Sequence, residues 1–421
     1  MIVSIVGIIF GGAYYWQIRH APTVNMKWQT AEESDKYVRF DMEVYDKIAK
    51  IYWMTSTDND LATLFQLSSQ KAFGLTTTLV IKDRAGTAKM LATAFSSATT
   101  TSAKKESAVN TAIIALYNIA PVGRNQVLSQ KQETVFRQNV SNINPSSDLY
   151  GELGLASDAS VQEVDKAYTK KFTELKNATS TEDKARLKQI AYSHSVLSNM
   201  DNKSLYDTAK IESTVAKIIY GKTLYIDMTK VSPTTLIEFA RVVDDASTTP
   251  GLDSMILDFR GNVGGSLDFL PNFFGLFVGK DQYVFDFYQQ GNYIPQRSVQ
   301  PKFSELDRFK DIAILTDNMT QSTAELTTAT FKKFHMAQVV GNTTRGWGTI
   351  ENTYPIDTEI DPTEKYLLLL VNSITLREDN QPIEGRGVEP DVDIGKVGWQ
   401  NELPKHFKSE SLINAIKKEI K

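Results

Sequence analysis

Apolar residues in the first third of the chain recur at three- and four-residue steps. This spacing is typical of a helix that buries one face. In residues 31–53 the apolar stripe consists of Val38, Met42, Tyr45, Ile48 and Tyr52. Residues 61–81 and 86–118 also predict helices, and the second is rich in Ala, Thr and Ser. Region 19–145 is therefore predicted to be helical and structural, with no residues grouped for chemistry.

From about residue 212 the pattern changes to short apolar strands that alternate with amphipathic helices. Strands are predicted at 223–228, 254–259, 311–316, 337–341, 353–356 and 366–376, and helices at 232–246, 267–277 and 322–334. Ser232 and Pro233 provide the N-cap and first turn of one helix. Strand and helix alternation with glycine-rich connections predicts an α/β core over 211–400. Residues 401–421 are predicted to form a surface helix.

Composition narrows the possible functions. The chain has 421 residues, 41% of them hydrophobic, which suggests two or three domains with real cores. A formal charge of −4 argues against a nucleic-acid-binding protein, since such proteins usually carry a basic surface. The absence of cysteine excludes disulfides, thiolate zinc sites and a cysteine nucleophile. None of the four histidines has a second ligand at metal spacing, so no metal or cofactor is predicted.

Residues 1–18 carry no charged side chain and end in Tyr14, Tyr15 and Trp16 before Arg19. An uncharged segment of this length with aromatic and basic residues at one end predicts a membrane anchor. The alternative is a buried N-terminal helix of a soluble protein. The two basic residues that follow the segment, Arg19 and Lys27, would by themselves favour a cytoplasmic body.

Residues 148–207 resemble a J-domain, within a predicted module at 146–210. The stretch DLYGELGLASDASVQEVDKAYTKKF matches its first two helices, and VLSNMDNKSLYD at 196–207 matches its closing element. J-domains use a His-Pro-Asp tripeptide to stimulate the heat-shock seventy chaperone, and here Lys176, Asn177 and Ala178 stand in its place. The resemblance therefore implies a packing or recognition module and not a co-chaperone. An unrelated helical hairpin is the alternative.

Ser322 stands between a predicted buried strand and the helix that follows it. Backbone N–H groups converge at such a helix start and favour negative charge there. By itself, however, Ser322-Thr323-Ala324-Glu325 is also a capping box. The glycine turn at 261–265 likewise has a plain explanation, a corner that needs positive φ. No Gly-Lys-Ser/Thr follows this turn, which argues against a phosphate loop.

Three segments together resemble the tail-specific (C-terminal processing) serine peptidases. These are DFRGNVGG at 258–265, TQSTAE at 320–325 and VVGNTTRGWGTIE at 339–351, and IEGRGVEPDVDI at 383–394 resembles the family's closing strand. The resemblance covers about 212–395 and implies an α/β core of the ClpP/crotonase type. It also implies that Ser322 is the nucleophile. The amides of Gly264 or Gly265, together with that of Thr323, would then form the oxyanion hole.

The chain departs from the family at two positions. The family's lysine base lies twenty-five residues after the serine, where this chain has Trp347. An indole donates one hydrogen bond but accepts no proton. The glutamine that orients the lysine falls on Glu351, which is a candidate carboxylate base, and His335 and His194 are further candidates.

Two functions remain open from the sequence. The first is a membrane-anchored serine endopeptidase of the cell envelope that acts on protein tails or unfolded polypeptides, with Ser322 as nucleophile and a base other than lysine. The second is an inactive pseudopeptidase that binds peptides or serves as a scaffold. Every serine peptidase mechanism requires a base, so the choice depends on what surrounds Ser322.

Overall fold

The computed structural model describes residues 29–177 and 180–420. The predicted anchor, residues 1–18, lies outside the described residues. The chain forms two compact units, each built from several stretches. The first unit combines the described residues up to Phe136 with Phe285–Gln296 and Trp347–Gly385. The second combines Arg137–Val284, Arg297–Gly346 and Arg386–Lys421. The sequence-defined domain boundaries given above remain a prediction.

The N-terminal region is helical, as its periodicity predicts. Its elements are α1 (Lys36–Ile51), α2 (Asp58–Phe73), α3 (Arg84–Ser96), α4 (Thr101–Tyr117), β1 (Gln126–Ser129) and α5 (Gln130–Val140). The predicted stripe of α1 is buried in the core of the first unit, beside Leu368 and Leu370. The predicted helix at 61–81 ends earlier, because Gly74 adopts the left-handed conformation at the C-cap. The predicted helix at 86–118 is two helices, since Thr100 caps a new start.

The J-like segment folds into four helices with their own core. They are α6 (Leu149–Leu153), α7 (Val161–Leu175), α8 (Thr181–Leu197) and α9 (Met200–Ala209). Tyr150, Val164, Ile190 and Tyr206 are among the buried side chains of this core. Lys176 and Asn177 are exposed after α7, and Ala178 lies outside the described residues.

The rest of the chain is α/β, as predicted. Its elements are β2 (Val215–Tyr220), β3 (Thr223–Met228), α10 (Thr235–Ser247), β4 (Ser254–Asp258), α11 (Phe269–Val278), β5 (Tyr283–Gln289), β6 (Asn292–Arg297), β7 (Asp311–Thr316), α12 (Thr323–Lys333), β8 (Gln338–Gly341), β9 (Thr349–Pro355), β10 (Tyr366–Thr375), β11 (Val392–Asp393), α13 (Leu403–His406) and α14 (Glu410–Glu419). The helix predicted from Ser232 begins later, with Thr234 at its N-cap.

The second unit contains a six-stranded sheet in the order β11-β8-β7-β4-β3-β2. Strands β3, β4, β7 and β8 run parallel to one another. Their carboxyl ends therefore meet at one edge, the edge at which open α/β sheets place their sites. The connections that leave this edge carry Gly264, Gly265 and Ser322.

Strands β9 and β10 do not join the six-stranded sheet of the second unit. They join β1, β5 and β6 in the first unit, where β10 pairs antiparallel with β1, β5 and β9. The apolar runs at 353–356 and 366–376 mark strands correctly, but hydrophobicity along a strand does not specify its neighbours. The sequence pattern also missed β1 and the β5–β6 pair.

The C-terminal helix α14 is part of the second unit's core and not a surface element. Its residues Leu412, Ile413 and Ile416 are buried with Trp399 and Phe407. The amphipathic pattern was correct. What it could not show is that the apolar face covers the sheet.

Candidate active site

Ser322 occupies a strained turn at the start of α12. Its backbone angles are φ 57° and ψ −125°, a conformation that favours glycine. The amide of Ala324 donates to the carbonyl of Gln321 at 3.2 Å and closes this turn. Such a conformation costs of order 1–3 kcal/mol and persists only where the surroundings enforce it. The turn places the half-buried Ser322 side chain at the N-terminal end of the helix.

The glycine turn lies directly against this serine. Gly264 has φ 80°, and a Cβ at this position would lie 2.7 Å from both the Ser322 Cβ and the Gln321 oxygen. Gly265 has φ 145°, and a Cβ there would lie 1.8 Å from the carbonyl oxygen of Val231. Glycine is therefore required at both positions by close approach as well as by conformation.

The predicted oxyanion-hole donors differ in whether their amides already have a hydrogen-bond acceptor. The amide of Gly264 donates to the Asn262 side-chain oxygen at 2.8 Å and is occupied. By contrast, no described residue accepts a hydrogen bond from the amide of Gly265 or of Thr323. Thr323 is the first residue of α12, where amides have no partner within the helix. Its hydroxyl donates to the Gly265 carbonyl at 3.2 Å and joins the two segments.

A buried carboxylate, Glu325, organises the turn. It accepts from the Ser322 amide at 2.9 Å, from the Thr344 hydroxyl at 2.5 Å and from the Gly346 amide at 2.6 Å. Ser322 and Glu325 form the capping box that the sequence offered as the plain interpretation. The box and a nucleophilic role are compatible, because Glu325 holds the Ser322 backbone. The sequence motif indicated the box but not the contacts with Thr344 and Gly346.

Trp347 and Glu351 lie in the first unit, at the start of β9. The Trp347 Nε1 donates to a carboxylate oxygen of Glu351 at 3.2 Å, and the Thr349 hydroxyl donates to the same oxygen at 2.5 Å. Burial raises the pKa of the Glu351 carboxyl, while these hydrogen bonds and the charge of Arg124 oppose the rise. The indole thus helps to hold the carboxylate of Glu351 in place.

Two charged residues that the sequence did not single out complete this cluster. The Arg124 guanidinium lies 3.3 Å from the centroid of the Trp347 ring. It also donates to Glu384 at 3.1 Å, and Glu384 accepts from the Gly348 amide at 2.9 Å. A Cβ at Gly348 would lie 2.4 Å from the Glu384 nitrogen, so glycine permits this approach. No local signal marks Arg124, which is more than two hundred residues from its partners in the chain.

The two candidate histidines lie elsewhere in the fold. His335 is exposed just beyond the far end of α12, and thirteen residues at 1.5 Å each separate it from Ser322 by roughly 20 Å. It therefore cannot serve Ser322 as a base within this fold. His194 contacts Asp165 at 2.8 Å and stacks on Tyr168 inside the J-like segment. It is held by that segment's own residues.

The described residues meet neither the requirements of a metal site nor those of a membrane-spanning helix. No group of three or more acidic or histidine side chains there is arranged to hold a metal ion. Nor does any described helix combine the length and apolar character needed to cross a bilayer.

Comparison with known families agrees with both resemblances. Residues 222–394 match the model of peptidase family S41, and residues 148–207 match the model of the DnaJ domain. These ranges correspond to the α/β core and to the four-helix segment described above.

Curated relatives include probable CtpA-like serine proteases from staphylococci. The protein of Staphylococcus saprophyticus is 26% identical over 151 residues, and that of Staphylococcus aureus strain N315 is 29% identical over 153 residues. The matched stretch covers 36% of this chain and 29% of the length of each relative.

Among solved structures, a lipoprotein from Streptococcus agalactiae aligns with 91% of this chain and 99% of its own, at 12% identity and a TM-score of 0.46. The photosystem II D1 C-terminal processing protease aligns with 87% of this chain and 93% of its own, at 11% identity and a TM-score of 0.49. Residues 222–394 are thus similar to peptidase family S41, and residues 148–207, which precede them, are similar to the DnaJ domain.

Proposed function

We propose that this protein is a serine peptidase in which Ser322 is the nucleophile. The observation that carries the proposal is the backbone of Ser322, held at φ 57° against Gly264 at the start of α12. A capping serine needs no such conformation, since N-cap residues ordinarily have extended backbone angles. Strain of this kind clusters at active sites, where it presents a nucleophile in a fixed direction.

The chemistry follows from the groups around the turn. The Ser322 oxygen attacks the carbonyl carbon of the scissile peptide, and its proton passes to a base. The oxyanion that forms accepts hydrogen bonds from the amides of Gly265 and Thr323, which no described residue occupies. Return of the proton to the leaving amine gives an acyl-enzyme, which a water molecule then hydrolyses with the base again accepting a proton.

In this proposal the base is the carboxylate of Glu351. The Trp347 indole accepts no proton, but it donates to Glu351 and fixes one carboxylate oxygen. Because burial raises the pKa of Glu351, its carboxylate is a stronger base than one in water. The other carboxylate oxygen remains available for proton transfer in this scheme.

The second candidate function is peptide binding without turnover. The arrangement of Trp347 favours it, because the indole at the family lysine position is covered by Arg124 and occupied by Glu351. An aromatic ring fixed between two glycines is a suitable wall for an extended peptide. Such a protein would keep the Ser322 turn and the glycine turn but would lack a functioning base.

A fluorophosphonate probe and casein cleavage distinguish the two functions. A peptidase is labelled at Ser322 and cleaves casein, and Ser322→Ala abolishes both. Ser266→Ala, which changes another half-buried serine after the glycine turn, is the matched control and retains both. A folded wild-type protein that binds peptide but shows neither labelling nor cleavage would favour the binding protein. Cleavage that survives Ser322→Ala would remove this serine from the mechanism.

The proposed substrates are protein tails or unfolded polypeptides at the cell envelope, with the protein held on a membrane by residues 1–18. Support comes from the uncharged sequence of this segment and its terminal aromatic residues. Full-length protein should require detergent for extraction, whereas a chain that starts at Trp28 should not. Full-length protein recovered in the soluble fraction would contradict the anchor.

The J-like domain is proposed to leave the heat-shock seventy ATPase unstimulated. Support comes from Lys176 and Asn177, which stand exposed where the tripeptide would begin. In a single-turnover assay the wild-type chain should not accelerate ATP hydrolysis. A variant with His-Pro-Asp at 176–178 is the informative comparison, and acceleration by wild type would contradict the proposal.

A further inference from the structure

The side chains around Trp347 form a connected cluster within the first unit. Its order is Glu384 to Arg124, Arg124 to Trp347, and Trp347 to Glu351, with separations of 3.1, 3.3 and 3.2 Å. Arg124 and Glu384 are largely buried, with side-chain exposures of 17% and 18%. A pair this shielded from water holds its geometry better than a surface ion pair does.

The backbone fixes Arg124 relative to Glu351. Asn125, the next residue, accepts a hydrogen bond from the amide of Val371 at 2.8 Å. Val371 is the cross-strand partner of Glu351 in the β9–β10 pair. The loop that carries Arg124 is therefore hydrogen-bonded to the residue opposite Glu351. This contact fixes the backbone position from which the guanidinium reaches the indole.

We infer that Arg124 is a positioning residue, which holds the Trp347 indole so that Nε1 orients the Glu351 carboxylate for proton transfer. The inference rests on the proposed function, in which Glu351 is the base. Stacking of a guanidinium on an indole restricts rotation of the ring, and arginine suits this role better than lysine because its head group is planar. Glu384 in turn restricts the guanidinium.

Arg124 also acts on Glu351 through its charge. The charged groups that influence Glu351 are Arg124, which lowers its pKa, and Glu384, which raises it. Removal of the Arg124 charge should therefore raise the pKa of Glu351 further. A base must be deprotonated to act, so the acidic limb of the activity profile should move to higher pH.

The test compares Arg124→Met, Arg124→Lys and the control Lys105→Met. Lys105 pairs with Asp361 on the surface of the same unit, so its replacement changes the net charge equally. Arg124→Met should lose about tenfold in kcat on the acidic limb of the profile, a part of the ~10²–10⁴-fold that a base contributes. The loss should shrink at higher pH. Arg124→Lys should keep the acidic limb near its wild-type position but lower kcat at every pH.

A second measurement does not depend on catalysis. The fluorescence of Trp347, obtained by subtracting the spectrum of Trp347→Phe, should change with pH as Glu351 titrates. Glu351→Gln should abolish the change, Arg124→Met should move its midpoint upward, and Lys105→Met should not move it. If Arg124→Met moves the midpoint of the fluorescence change but the wild-type protein cleaves no substrate, the positioning role is retained and the peptidase proposal is rejected. A folded, active Arg124→Met variant with an unmoved acidic limb and midpoint would reject the positioning role and retain the peptidase.

Discussion

The surroundings of Ser322 and those of Trp347 are built in different ways. Around Ser322, main-chain groups dominate: a strained serine, two glycines in close approach, and two amides that have no acceptor among the described residues. Around Trp347, side chains dominate, and the central contact comes from Arg124, far away in the chain. The first arrangement depends on backbone conformation, whereas the second depends on contacts between side chains. A motif that works through the main chain tolerates little change, while a base supplied by side chains can be replaced by another network.

The largest effect is expected from Gly264→Ala, which tests the main-chain arrangement. A methyl group there would lie 2.7 Å from the Ser322 Cβ, so the serine must move. We expect a loss of about 10²–10³-fold in probe labelling, the size found on removal of an oxyanion-hole donor. Gly261→Ala is the control, because Gly261 has a similar φ of 72° but no atom within 4 Å of the added carbon. Equal losses in the two variants would show that strain, not contact with Ser322, is responsible.

The next largest effect is expected from substitutions around Trp347. They test whether a lysine and a glutamine can function in these surroundings. Trp347→Lys with Glu351→Gln introduces the lysine and glutamine that the resemblance to the tail-specific peptidases implies, but the new ammonium would face the Arg124 guanidinium. Like charges at such a distance lower the lysine pKa and also displace the side chain. We therefore expect little gain in casein cleavage from the double variant. Adding Arg124→Gln should increase cleavage by about 10²-fold over the double variant.

Thermal melts must accompany these variants, because Trp347 is half-buried and loss of its indole costs up to about 3–5 kcal/mol. A folded triple variant no faster than the double variant would show that more than the Arg124 charge separates this site from the family's.

A matched pair of Glu→Gln changes compares stability in the two regions. Glu325 accepts three hydrogen bonds in the buried turn, and an amide would present N–H groups to one or more of these donors. Glu325→Gln should therefore lower the free energy of unfolding by about 2–3 kcal/mol. Glu351→Gln should not, because Glu351 is already unfavourably buried when charged. A similar loss in both variants, measured by chemical denaturation at pH 8, would contradict this distinction.

The smallest expected effect is a pH-dependent difference in Tm between Glu351→Gln and the wild-type protein. The folded pKa of Glu351 lies above its unfolded value, so ionisation costs stability as pH rises from the unfolded pKa, about 4.3, through the folded one. The variant should therefore have a higher Tm than wild type at pH 8, and the difference should vanish near pH 4. A difference that is constant with pH would mean that Glu351 titrates normally.

The sequence predicted most strands and helices of the α/β core. It did not predict how the strands outside the parallel sheet pair or where the C-terminal helix packs. Strands β3 and β7 begin and end at the predicted residues, and Ser322 stands at the predicted strand-to-helix turn. The pattern did not show which sheet β9 and β10 join, and it placed α14 on the surface. It also could not show that the Gly264 amide donates to the side chain of Asn262.

The sequence by itself determined the features that depend on near neighbours: strand and helix periodicity, the glycine turn and the serine at a helix start. These follow from backbone sterics and from side chains a few residues apart, so a short window contains the information. Only the tertiary structure decided that Arg124 and Glu384 surround Trp347, and that Thr344 and Gly346 bind Glu325. Those contacts join distant stretches, and their geometry depends on strand pairing that no local pattern specifies.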